Sequence, residues 1–176
     1  LKVYPGHGQV TTIGEKEEVI HFYKFVNNLL AQLMPQGFME IKLDLAKTPF
    51  NLDYTLACGQ AFRWEKLNGW WRGVLGETVV KIRQNGETLR FQSYPKKVAP
   101  AFFGAICLDD DLPHIYSRIR KDRYVNEALK RFHGLRLMRQ DPWECLISYI
   151  CATNKNIPAI KDMISNMCMH FGKKIP

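Results

Sequence analysis

Three turn signals at regular spacing constrain this chain more than any other feature. Between Ala61 and Tyr94, apolar residues alternate with polar ones in short runs, and Asn68-Gly69, Gly76-Glu77 and Asn85-Gly86 interrupt those runs every eight or nine residues. Asn-Gly favours the positive dihedrals of tight hairpin turns, so the pattern predicts an antiparallel meander with strands near 61–67, 70–75, 78–84 and 87–93. Ahead of it, from Met39, the alternation of Ile41, Leu43 and Leu45 with polar residues reads as a further strand.

From Lys96 the apolar period lengthens, and helices are predicted at 96–106, 112–120, 123–132, 142–153 and 158–171. Asp141 can cap the fourth, with Pro142 at its opening position and Glu144 three residues after the cap; Pro158 can open the fifth after the Thr153 to Asn156 turn. Strands followed by helices make the expected class α+β, an antiparallel twisted sheet with flanking helices followed by the first helices of an α-helical domain. Residues 15–34 differ in texture: Val19, Phe22, Val26, Leu29 and Leu33 mark an amphipathic helix that Pro35 and Gly37 close. The expected divisions are 1–38, 39–134 and 135–176.

With 176 residues and 46% hydrophobic content, the chain can bury a real core. Charge interrupts its apolar stretches well short of the roughly 20 residues a membrane span needs, and its first residues lack a signal peptide's basic-then-apolar order. No membrane partner is expected, and a cytoplasmic or nucleoid-associated location follows. Cys58, Cys107, Cys145, Cys151 and Cys168 are odd in number and never form CxxC, which argues against a disulfide framework or a zinc site and for buried, reduced thiols. The net charge of +8 is uneven, with a surplus of six positive charges in 96–176 and two in 1–95. The basic half is the better candidate for a polyanion contact.

Two polar segments stand out on this scaffold. Cys58-Gly59-Gln60-Ala61-Phe62-Arg63-Trp64 leads into the first meander strand, where Gly59 can supply an unusual dihedral and Phe62 and Trp64 can pack inward. Arg139-Gln140-Asp141-Pro142-Trp143-Glu144-Cys145 opens a helix that runs to Thr153-Asn154-Lys155-Asn156, a turn that exposes amides and an ammonium where two helices meet. Such a surface suits phosphates or base edges.

Together and in this order, Gly59 to Trp64 and Arg139 to Asn156 resemble the 8-oxoguanine DNA glycosylase family of helix-hairpin-helix glycosylases, over residues 39–176. The resemblance implies a TBP-like α+β glycosylase domain at 39–134 and the start of the helix-hairpin-helix domain at 135–176, acting as a monomer without a cofactor. It implies excision of 8-oxoguanine opposite cytosine in duplex DNA, with AP-lyase cleavage, after the lesion nucleotide rotates into a pocket. Gly59, Gln60 and Phe62 would contact the flipped base, the Gly59 carbonyl accepting the N7 hydrogen that guanine lacks. Asn154, Lys155 and Asn156 would contact DNA, Asn154 at the orphaned cytosine. Lys155 stands where an asparagine is common, and Ala159 where many members carry an arginine facing that cytosine, so opposite-base selectivity does not carry over directly. The family's catalytic lysine and aspartate fall downstream of the segment ending at Pro176, which leaves no catalytic residue to assign; Lys161, Lys173 and Lys174 read as surface or phosphate-facing charges, and the isolated chain is expected to be inactive.

Val3-Tyr4-Pro5-Gly6-His7-Gly8, followed by Thr11 to Gly14, resembles the end of a metallo-β-lactamase-fold hydrolase, in which the histidine is a late zinc ligand. One histidine cannot hold a catalytic zinc, so His7 is only a vestigial candidate, and residues 1–38 read as the tail of a preceding domain or extension. Two other functions stay open: a nucleic-acid module closing a metallo-hydrolase, and a DNA-binding module without catalysis.

Overall fold

The computed structural model describes residues 37–94 and 104–173, which lie within one compact unit, Gln36–Pro176. His7, the helix expected at 15–34 and most of that expected at 96–106 fall outside the described residues. The described elements are β1 (Met39–Lys42), α1 (Leu52–Ala57), β2 (Trp64–Leu67), β3 (Trp70–Leu75), β4 (Thr78–Asn85), β5 (Thr88–Tyr94), α2 (Leu112–Ile119), α3 (Arg123–Arg131), α4 (Pro142–Ala152) and α5 (Ile157–Phe171).

The meander is as the turn spacing predicts. β2 to β5 pair antiparallel in sequence, and β1 joins the far edge against β5, giving the order β1-β5-β4-β3-β2. Asn68 and Gly69 both take positive φ, 51° and 75°, the combination a type I′ hairpin turn requires. Asp44 ends the run from β1: its carboxylate accepts from the Ala46 and Lys47 amides, and the chain turns where the alternation of Leu43 and Leu45 had promised more strand.

Trp71, Val80, Ile82, Leu89 and Phe91 alternate onto the inner face of the sheet, where they pack with Phe50, Leu52 and Leu56 from around α1 and with Ile106. The period of two thus becomes a one-sided core. α1 itself was not anticipated. Asn51 caps it, accepting from the Tyr54 amide at 2.9 Å, and Gln84 of β4 bonds the Leu52 amide at 2.7 Å and the Phe50 carbonyl at 3.1 Å. Asp53 in its first turn meets Lys66 Nζ at 2.7 Å and Trp71 Nε1 at 2.6 Å, fastening the helix to β2 and β3.

β2 starts at Trp64, three residues later than expected from the alternation, because the chain before it is held by residues 136–140 and not by a ladder. The cysteine expectation needs correcting at two positions: all five thiols are free, but Cys58 and Cys145 are exposed. Cys58 sits at the C-cap of α1 and Cys145 on the outward side of α4, neither of which faces a core. No described helix is long and apolar enough to cross a membrane.

Two outcomes follow from this packing. Gly73 lies opposite Trp64 in the ladder, and a Cβ there would come within 2.3 Å of the indole. Gly73→Ala is expected to cost about 1–3 kcal/mol by overpacking, measured by urea unfolding. Burial favours a neutral Asp53, but the hydrogen bonds from Lys66 and Trp71 outweigh it and hold the carboxyl below its ordinary value. A depressed carboxylate adds stability above its unfolded pKa of about 4 and loses it as pH falls through the folded value. Asp53→Asn is therefore expected to flatten the acid limb of stability, read from unfolding midpoints across pH 3–6.

Candidate nucleic-acid interface

The end of α1 and the start of β2 are shaped by one residue that turns and one that ties. Gly59 takes φ +82°, a left-handed conformation that L side chains rarely adopt, and so carries the chain away from the helix. Gln60 then anchors the turn to the segment before α4. Its Nε2 donates to the Arg136 carbonyl at 2.9 Å and to Cys58 Sγ at 2.7 Å, its Oε1 accepts from the Met138 amide at 2.8 Å, and its own carbonyl accepts from Gln140 Nε2 at 2.6 Å.

The second motif forms around α4. Asp141 caps it, accepting from the Trp143 and Glu144 amides, each at 3.0 Å, with Pro142 opening the helix as expected. Glu144 turns toward the first motif, where its carboxylate meets Arg63 Nη1 at 3.1 Å, both side chains being about three-quarters covered. α4 ends at Ala152, and Asn154 adopts φ 56°, a conformation that asparagine tolerates better than most residues. Asn156 caps α5, its side chain accepting from the Ala159 amide at 3.0 Å. Cys151 of α4 packs with Ile160 and Ile164 of α5.

These two turns, remote in sequence, come together. A Cβ on Gly59 would lie 3.6 Å from Ile157 Cδ1, placing the glycine turn against the first residue of α5, just after Asn154 to Asn156. Lys161, one turn further along α5, donates to the Trp64 carbonyl at 3.2 Å. Of the residues expected to face the base, Gly59 offers a carbonyl that accepts no hydrogen bond among the described residues. The Gln60 amide is engaged within the protein, and Phe62 packs against the Cys151–Ile160–Ile164 cluster. Asn154 and Lys155 are exposed with no side-chain hydrogen bond among the described residues, while the Asn156 oxygen serves as a cap.

Comparison with known proteins gives this geometry its relatives. The family model for the 8-oxoguanine DNA glycosylase N-terminal domain matches residues 42–146, which take in β2 to β5 and the opening of α4. The chain belongs to that family. It is 30% identical over 141 residues to N-glycosylase/DNA lyase OGG1 of Arabidopsis thaliana, covering 74% of this chain and 39% of that protein. It is also 33% identical over 152 residues to the N-glycosylase/DNA lyase of Saccharomyces cerevisiae, covering 76% and 40%. Among solved structures, the Clostridium acetobutylicum 8-oxoguanine glycosylase/lyase in complex with dsDNA containing cytosine opposite 8-oxoG superposes with a TM-score of 0.67 at 31% identity, covering 72% of this chain and 44% of that one. The chain thus spans about two-fifths of the curated relatives it matches.

Sequence reasoning missed the polar clasp of this glycosylase domain. Gln60, Arg63, Gln140 and Glu144 all lie within the two motifs, but nothing local pairs Gln60 with Gln140 or Arg63 with Glu144 across some 80 residues. Gln60→Ala removes the side-chain partners of the Met138 amide and the Arg136 carbonyl. It is expected to destabilise the unit by about 1–3 kcal/mol and to speed proteolysis at 58–61 before the sheet unfolds, which limited digestion checks.

Proposed function

We propose that this chain supplies the base-recognising half of an enzyme that removes 8-oxoguanine from opposite cytosine in duplex DNA and cleaves the strand as an AP lyase. Family membership supports the reaction. The observation that carries the reading for this chain is the approach of the Gly59 turn, whose carbonyl accepts no hydrogen bond among the described residues, to Ile157, the residue that follows Asn154 to Asn156.

Excision requires the glycosidic bond to be taken out of the base stack, so the lesion nucleotide rotates out of the duplex and its edge is read in a pocket. The Gly59 carbonyl is an acceptor only. 8-Oxoguanine presents a hydrogen at N7, whereas guanine presents a lone pair there, so one carbonyl gains a bond with the lesion and opposes an acceptor in the normal base. Discrimination from this one contact is worth on the order of 1–3 kcal/mol. Asn154 faces the cytosine left behind with an amide that both donates and accepts, and Lys155 neutralises a nearby phosphate. Gln60 acts on the base through Gly59 by fixing the turn, and Phe62 contributes by packing the entry to β2 against Cys151, Ile160 and Ile164. The two helices of 135–176 open the second, helical domain, in keeping with exposed Trp143, Tyr149 and Ile150 along α4. The enzyme works as a monomer on chromosomal DNA, in the nucleoid-associated cytoplasm.

The test compares two variants in a polypeptide that carries this chain together with the rest of the family's length. Gly59→Ala is expected to lower excision opposite all four bases, since φ +82° strains any side chain even though the added methyl would meet Ile157 Cδ1 only at an ordinary contact distance of 3.6 Å. Asn154→Ala is expected to reduce the preference for cytosine while leaving excision of an already flipped lesion largely intact. Borohydride trapping on 8-oxoguanine duplex reports the covalent step, and the 176-residue chain alone is expected to bind that duplex without forming an adduct. Uniform losses in both variants that follow their losses of thermal stability would remove the site assignments.

A further inference from the structure

The outer face of the sheet holds a group of cations that base recognition does not use. Arg72 of β3 stands directly opposite Lys81 of β4, and Arg83 of β4 directly opposite Arg90 of β5. Like charges in such positions repel. Phe38 and Trp70, stacked with ring centres 4.8 Å apart, compensate in part. Lys81 Nζ lies 4.8 Å from the Trp70 centre and 5.4 Å from that of Phe38, Arg83 lies 4.7 Å from Trp70, and Arg90 lies 4.5 Å from Phe38.

Carboxylates compensate less. Arg90 pairs with Glu40 at 3.2 Å. Glu65 stands opposite Arg72 on β2 without closing a salt bridge, and Arg72, Lys81 and Arg83 have no ion pair among the described residues. Nε and Nη1 of Arg72 and Nε of Arg83 are shut off from solvent with no hydrogen-bond partner. Burial and the charge of Arg72 push the Lys81 ammonium below its ordinary value, and burial does the same to Arg72 against the pull of Glu65.

We propose that this face, centred on Arg72, Lys81 and Arg83, is a second DNA-contacting surface that grips the phosphodiester backbone without regard to sequence. The choice of DNA as the polyanion rests on the proposed function. A guanidinium or ammonium can meet a phosphate oxygen with its outward N–H groups, and the cations recur across adjacent strands about 4.8 Å apart and every second residue along β4, about 6.8 Å apart. An array of that kind suits a polymer with a charge on every unit better than a single carboxylate. Cations cover the two rings, so the rings hold the charges in place and do not stack bases, which makes the contact blind to sequence.

The experiment uses the full 176-residue chain and an undamaged duplex oligonucleotide. Each phosphate contact contributes about 0.9 to the slope of log affinity against log salt, so the triple variant Arg72→Gln/Lys81→Gln/Arg83→Gln is expected to reduce the slope by about 2–3 and to bind about tenfold or more weakly at low salt. Its thermal midpoint is expected to hold or rise as the like-charge pairs disappear. In the unsubstituted chain, DNA is expected to protect Lys81 from acetylation, read by mass spectrometry. If the triple variant does not fold, Lys81→Gln alone, with an expected slope change of about 0.9, and the acetylation readout decide. An unchanged slope in a folded variant overturns the proposal, as does Lys81 equally reactive with and without DNA, or protected by polyglutamate and not by DNA. Protection of Lys155 without Lys81 defeats this surface and leaves the recognition turn standing, and the converse pattern defeats the recognition turn alone.

Discussion

A single guanidinium holds together the parts of this domain that the sheet alone does not join. Arg136 is 2% exposed, and arginine stays protonated even when burial disfavours its charge. Its Nε donates to the Pro49 carbonyl at 3.0 Å, and its Nη1 donates to the carbonyls of Cys107 and Asp110. Its backbone amide donates to Thr55 Oγ1 at 3.2 Å, and its carbonyl receives the Gln60 amide. One residue therefore gathers the approach to α1, α1 itself, the segment before α2 and the Gly59 turn. A buried charge is costly unless its donors are met, and here backbone carbonyls meet most of them, with Nη2 left over. Breaking such a set exposes several carbonyls at once, which is why the rest of the arrangement depends on it.

From Arg136 the dependence runs to the Gly59 turn through Gln60. A glycine at φ +82° has no side chain with which to hold its own peptide planes, so the direction of its carbonyl is set by neighbours. Gln60 is that neighbour, and its amide reaches the Arg136 carbonyl and the Met138 amide together. The resemblance grouped Gly59, Gln60 and Phe62 as one base-contacting set. The geometry separates their physical parts: an available acceptor at Gly59, a clasp at Gln60 and a packing contact at Phe62.

What was legible in the sequence was local in cause. Hairpin turns are decided by two residues, and Asn68-Gly69 announces its own conformation. Helix caps are decided within one turn, so Asp141 with Pro142 marked the start of α4, and α2 to α5 lie within two residues of their expected bounds. α1 was missed because six residues carry too little periodicity to read, although Asn51 with Asp53 behind it is a start signal. The late start of β2, the burial of Arg136 and the Arg63–Glu144 pair were not legible for a different reason. Each is fixed by partners 26 or more residues away, most of them some 80 away, and no pattern within a window records it.

The same distinction governs how firmly the two candidate recognition turns are set against each other. Within the sheet and α1, apolar burial does the work, with Val80, Ile82, Leu89 and Phe91 wholly removed from water. Between the sheet and the pair α4–α5, the contacts are the Phe62 cluster, the Arg63–Glu144 pair, the Gln140 bond and the Lys161–Trp64 bond. The three polar contacts among them, part-exposed, are worth about 1 kcal/mol each or less. Meanwhile α4 keeps Trp143 69% and Tyr149 76% exposed, apolar surface that an isolated domain gains nothing by displaying. A surface that covers this face would add apolar burial to a junction now held by one small apolar cluster and a few polar bonds. Occupancy of the α4 face and the alignment of Gly59 with Asn154 are thereby linked, since both act on the seating of the same two helices.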